Sequence, residues 1–225
     1  MQFTKTKLAL ALAGFALLGA QPAWADPNTG ETIMVLTTPS RIGNGGAFLV
    51  TGGTYGGASF ETFCLETNEF ISLPGGPYTV TKNTGAVLGG SGNAATYFGD
   101  VAGSAGFDPL SKASGWLYSQ FRAGGSALTG WTGSAVDKKD LQVAIWYLEN
   151  EVSTPVGNAL TWATQGISNA PLYSGSAYVM NLTASGVNHQ DVLAIPEPET
   201  YAMLLAGLGL MGFVARRRQR KLAAA

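Results

Sequence analysis

Two apolar runs, one at each end, limit what this chain can fold into, because neither belongs in a soluble core and everything that must pack lies between them. The first follows Lys5 and Lys7, runs from Leu8 to Ala20 as LALALAGFALLGA, and reaches the small-x-small triplet Ala23-Trp24-Ala25 just before Asp26-Pro27. A cationic start, a short apolar centre and small residues at a cut point make a secretory signal peptide, residues 1–25, expected to be helical in transit and cleaved after Ala25. Its thirteen apolar residues fall short of the ~20 needed for a permanent span.

The second run reads IPEPETYAMLLAGLGLMGFVARRRQRKLAAA. Pro196-Glu197-Pro198 precedes an apolar segment from Tyr201 to Ala215, and Arg216, Arg217, Arg218, Arg220 and Lys221 follow. Cations of this kind stay cytoplasmic, so the Pro-Glu-Pro is expected on the outer face of the inner membrane. As a helix the segment covers about 22 Å at ~1.5 Å per residue, short of a hydrocarbon core of about 30 Å. Snorkelling arginines and local thinning make up the difference, which suits a single transmembrane helix held briefly. Two prolines forbid helix and leave an extended, protease-readable strip outside the bilayer.

In order and spacing these residues resemble the PEP-CTERM sorting segment of Gram-negative bacteria. The resemblance implies recognition by an exosortase, cleavage near Pro196-Glu197-Pro198, transient residence in the inner membrane, and delivery to the cell surface or an exopolysaccharide matrix. Glu199 and Tyr201 stand where Ser or Thr and Trp are common. Such a segment is an address and carries no activity of its own.

Between the ends, residues 26–188 form one extracytoplasmic body, residues 189–195 an exit linker, and residues 196–221 the sorting segment. The span from 26 to 195 holds six basic residues against twelve acidic ones, a formal charge of −6 that the whole-chain value of −1 conceals. An acidic surface without basic clusters argues against nucleic acid, whose phosphates need Lys and Arg. One cysteine and one histidine cannot close a zinc site, and no calcium loop, phosphate loop or nucleophile elbow is present, so no metal or cofactor is expected.

Thr32–Thr37, Ala47–Thr51, Ser59–Leu65, Tyr78–Lys82 and Tyr178–Thr183 are β-branched or aromatic runs between Gly, Pro or Asn, and read as strands. Two helices interrupt them. One is capped by Asp108 with Pro109 in its first position and carries Leu110, Ala113, Leu117 and Phe121 at helical spacing before Gly124-Gly125. The other is capped by Asp137 with Leu141, Ala144, Ile145 and Leu148 along one stripe. The Gly pairs at 45–46, 52–53 and 56–57 read as turns, and Asn83–Ala95 and Leu128–Ala135 as loops. The expected fold class is α+β: mainly a β framework with two inserted helices, plus the N-terminal signal helix and the C-terminal transmembrane helix.

A lone thiol in an exported protein is buried as a small apolar residue, paired with another chain, or chemically used. Cys64, in FETFCLE, sits between Phe63 and Leu65 on an expected strand, which fits burial. Taken with LQVAIW at Leu141–Trp146, however, it resembles the thioester domains of bacterial surface adhesins, in which a strand cysteine meets a glutamine near the start of a helix followed by Ala-Ile-Trp. The resemblance implies that Cys64 attacks the Gln142 carboxamide, expels ammonia and leaves an internal thioester. Val143 stands where that pattern carries a more polar residue. A nearby helix N-terminus is expected to favour the thiolate, and Phe63, Trp146 and Tyr147 to exclude water from the bond. A lysine amine or hydroxyl of a surface partner could then open it and become covalently attached.

Two other classes compete. A cysteine hydrolase needs a base, and His189, in the polar segment SGVNHQD, is expected to be solvated. A non-reactive matrix or glycan-binding protein could use Trp116, Trp131, Trp146 or Trp162 as stacking platforms, with Trp131 in LTGWTGS the one expected to be exposed. The expected function is that of an exported, exosortase-sorted surface or exopolysaccharide-associated protein with an internal thioester for adhesion, not a turnover enzyme. The alternative is the non-reactive matrix protein.

Overall fold

In the computed structural model, residues 27–43, 45–52, 59–88, 106–196 and 207–212 are described. The signal peptide with Ala23 and Ala25, Glu197, Pro198 and the basic cluster Arg216, Arg217, Arg218 and Arg220 lie outside them. The chain divides into two units, one Ala25–Glu197 and the other comprising Met1–Trp24 and Pro198–Ala225. In the terminal unit, 207–212 is helical. Among the described residues no helix is long and apolar enough to cross a membrane.

The body is built on β1 (Thr32–Leu36), β4 (Phe48–Gly52), β5 (Phe60–Thr62), β6 (Gly75–Asn83), β9 (Tyr178–Ala184) and β10 (Val187–Ala194). They form one antiparallel sheet in the order β10-β9-β6-β1-β4-β5. The sheet curls until its two edges meet. Cys64, just past β5, bridges Val192 on β10, and the Leu65 and Leu193 amides donate to Asp191 and Phe63 carbonyls, each at 3.1 Å. Closure satisfies edge amides that would otherwise invite another chain.

Alternation sorts the side chains. Ile33, Val35, Phe48, Val50, Tyr78, Val80, Met180, Leu182, Val192 and Cys64 pack in one cluster inside the curl. On the outer face of β9 and β10, Val179 and Leu193 meet three helices: α1 (Lys112–Arg122), α2 (Ala135–Leu148) and α3 (Gly157–Asn169). β9 is therefore buried on both faces and reads as a continuous buried run, while β1, covered on one face, alternates. Among the described residues the body also has two short antiparallel pairs: β2 (Arg41–Ile42) with β3 (Gly45–Gly46), and β7 (Gly85–Val87) with β8 (Phe107–Pro109).

Several expectations need correction. The caps are Ser111 and Ser134, not Asp108 and Asp137. Asp108 and Pro109 are drawn into β8 by pairing with β7, and Asp137 instead completes a capping box with Ser134. A third helix, α3, joins the two expected; its low-propensity Gly, Thr and Asn are outweighed by a buried stripe of Ala159, Trp162, Ala163 and Gly166. Residues 189–194, expected as exit linker, are strand β10, reached through a two-residue Ser185-Gly186 turn with both φ values positive. β5 ends at Thr62, short of the expected Leu65, because the chain there crosses to β10 as a single bridge.

Candidate functional site

Gln142 lies at the middle of α2 and is fully buried, as is Cys64. The helix begins at Ala135, so Gln142 belongs to its third turn rather than its start. Its carboxamide is clamped at both ends. Oε1 accepts from the Cys64 N–H and the Gly46 N–H, both at 3.0 Å, and Nε2 donates to the Cys64 carbonyl at 2.9 Å. Reversing the amide would set an NH2 group against two N–H donors, so the network fixes its orientation. The two residues brought together by the sequence pattern are thus joined through main chain on one side and side chain on the other. The Cys64 sulfur is two covalent bonds from the Cα whose own N–H and C=O grip the amide.

The clamp needs three elements in register. Leu65 N–H to Asp191 and Leu193 N–H to Phe63 fasten the Cys64 segment to β10. Beyond it, Gln190 Nε2 donates to Glu66 O at 2.9 Å, Glu151 accepts from the Thr67 N–H and hydroxyl, and Glu69 accepts from the Asp191 N–H at 3.1 Å. The β2–β3 hairpin supplies the remaining donor. Gly45 lies flat on Trp146: a β-carbon there would fall 2.2 Å from Cζ2 of the indole and 3.1 Å from Gln142 Cγ. Of the three residues expected as a water shield, Trp146, 8% exposed, covers this approach. Phe63 turns to the helix side, edge-on to Phe121 at 4.9 Å, and Tyr147 packs partly buried in the same cluster.

Electrostatics keep the thiol protonated. Burial pushes the Cys64 thiol well above its ordinary value; Glu69 adds to the rise, Arg41 opposes it, and Asp191 adds again. The expected thiolate-favouring helix terminus is therefore corrected: desolvation outweighs any such help. The neighbouring carboxyls respond in the same direction. Burial and Glu69 raise Asp191 to about 8 against its hydrogen bonds from Val87 and Asn181, and burial raises Glu69 to about 7. The site thus combines a buried thiol held in its neutral form with a buried carboxamide fixed by hydrogen bonds to the main chain of the same cysteine.

The remaining candidates fall elsewhere. His189 sits on β10 with its ring 4.9 Å from Tyr78, and the charged groups acting on Cys64 are carboxylates and a guanidinium, with no imidazole among them. Trp131, expected to be exposed, is partly buried, with its ring 5.9 Å from Phe121 and 5.3 Å from Trp162, and it rests against Gly125. Trp162 is fully buried. No group of three His, Cys, Asp or Glu suited to a metal ion occurs among the described residues. Sequence reasoning missed Gly45 and Gly46, read as a turn. The pair does lie in a hairpin, and its close approach to α2 leaves no local trace.

Neither the curated proteins nor the solved structures include a match to this chain. The scan of family descriptions does find one, confined to the C-terminal segment and starting where β10 ends. Over residues 194–219 the chain carries a PEP-CTERM protein-sorting motif, which marks it as an exported protein sorted by an exosortase.

Proposed function

We propose that the exported body forms an internal Cys64–Gln142 thioester and uses it once, to attach the protein covalently to an amine or hydroxyl on a cell-surface or exopolysaccharide partner. The observation that carries this reading is the Gln142 carboxamide, buried in mid-helix and hydrogen-bonded at both ends to the main chain of Cys64. Glutamine side chains are mostly exposed in folded proteins, so the full burial of this one supports a placed role. In the reaction the thiol adds to Cδ, its proton passes to Nε2, the Cδ–Nε2 bond breaks and ammonia leaves. The partner nucleophile later takes the acyl group and returns the proton to sulfur. Association with the sorting motif gives the address, and the thioester gives the attachment.

A second reading has its own support. Cys64 packs among Ile33, Val35, Val80 and Val192 as a small apolar residue, which is how an inert thiol is housed. On that reading the protein is a non-reactive matrix component, and Gln142 is a polar staple between helix and sheet. Incubation of the purified, exported body with a fluorescent primary amine separates the two. The thioester reading predicts covalent label at Gln142, lost in Cys64→Ala; the inert reading predicts none.

A further inference from the structure

Resting on the thioester reading above, we infer that the Gly46 N–H, together with the Cys64 N–H, is the oxyanion hole of the self-acylation, and that Gly45 is the positioning residue that brings it into place. The two donors come from segments far apart in the chain, yet both end 3.0 Å from Gln142 Oε1. That oxygen is the atom on which charge develops. When the Cys64 S–H adds to Cδ, the carbonyl π pair moves to Oε1 and the thiol proton to Nε2. When the pair returns, the Cδ–Nε2 bond breaks and ammonia departs. Fixed backbone donors in a dry site stabilise such an oxygen without reorganising. The third hydrogen bond, from Nε2 to the Cys64 carbonyl, holds the leaving nitrogen on the opposite side.

The hairpin's composition follows from that duty. Gly46 has φ of +122°, and a β-carbon on it would fall 2.6 Å from Arg41 Cα and from Ser40 O. Only glycine takes that backbone shape, which turns its N–H toward Gln142. Gly45, next to it, lets the strand lie against the indole of Trp146, so that the donor reaches α2 at hydrogen-bond distance. The hairpin's base is fixed separately: the Thr38 hydroxyl donates to the Ala47 carbonyl and accepts from the Ser40 N–H at 3.2 Å. Ile42 packs on the interior of the curled sheet. A structural clamp alone would need a hydrogen bond to Gln142; two convergent donors on one carbonyl oxygen go further than that.

The test follows the full chain after induced expression, reading the fraction that has lost one ammonia against time by intact mass, with thermal unfolding measured alongside. Gly45→Ala pushes its methyl into the indole and withdraws the Gly46 donor. Loss of one such donor slows acylation by about 10² to 10³-fold, so a slowing of about tenfold or more is expected. Trp146→Phe in the same background removes Cζ2 and Cη2, makes room for the methyl, and restores most of the rate. If wild type acylates and Gly45→Ala does so equally fast, or the double variant stays as slow as Gly45→Ala, the oxyanion-hole inference is overturned while the thioester reading stands. If wild type itself never loses ammonia, the thioester reading fails and this inference with it.

Discussion

At the scale of single residues, Gln142 is the residue to which the most is tied. In a Cys64→Ala background, where no thioester can form, Gln142→Ala strands the N–H of Gly46 and both main-chain groups of residue 64 in a buried place. Unsatisfied buried groups cost about 1–3 kcal/mol each when a partner is removed, so with three stranded groups a loss of about 3 kcal/mol or more is expected from urea unfolding. An unchanged midpoint would mean the clamp contributes nothing. The pairing of Cys64 with Gln142 was legible in the sequence because it rests on two short motifs with their own residue order. The Gly46 donor and its Gly45 neighbour were not, since a Gly-Gly pair looks the same whether it merely turns the chain or turns it against the Gln142 carboxamide.

At the scale of elements, α2 carries the site and its first turn sets its position. Ser134 Oγ accepts from the Asp137 N–H, and Asp137 accepts in return from Ser134 N–H, and from the amide and hydroxyl of Thr132. Although burial acts to raise it, the hydrogen bonds from Thr132 and then Ser134 hold Asp137 below the usual carboxylate value. A lowered carboxyl stabilises the fold above its unfolded pKa, and that contribution disappears as pH falls through the folded value. Ser134→Ala is expected to cost about 1 kcal/mol at neutral pH, read from the shift in unfolding midpoint. Asp137→Asn is expected to destabilise at pH 7 and to match wild type in strong acid. The stripe on α2 was readable from its period, but the cap was misplaced by three residues because Asp137 and Ser134 are both good caps. Helix α3 was missed for a different reason. Its buried stripe uses Gly166, whose missing side chain admits Ala113 O and Leu117 of α1, and close packing of this kind is a tertiary fact.

At the scale of the whole molecule, burial raises the proton affinity of several carboxyls in the body. Burial raises Asp108 to about 6, Glu69 and Glu149 to about 7, and Asp191 to about 8; Glu149 also joins the end of α2 to the start of α1 through Ser111. A carboxyl raised on folding binds its proton more tightly in the folded state. Stability therefore rises as pH falls from about 8 toward 5, and declines as pH climbs through these values. Thermal unfolding at pH 5.5 and pH 8.5 is expected to give the higher midpoint at pH 5.5, and the reverse order would contradict the placement of these groups. Export is a property of the whole chain too. Replacing Pro196, Glu197 and Pro198 by alanine should leave the full-length chain, basic tail included, in the inner-membrane fraction of cells that possess an exosortase. The mixed α+β character was visible in the sequence, as alternation in the strands and period in two helices. The meeting of the sheet's edges was not, because it depends on Gln190 and Asp191, polar residues that looked like linker until both were found buried against the turn after Cys64.

The most direct test is the intact mass of the purified, exported body under denaturing, non-nucleophilic conditions. The thioester account predicts a mass short by one ammonia, with no thiol available to an alkylating reagent, and the full mass in both Cys64→Ala and Gln142→Ala. A wild-type body at full mass, whose Cys64 is alkylated as soon as the chain unfolds, would contradict it.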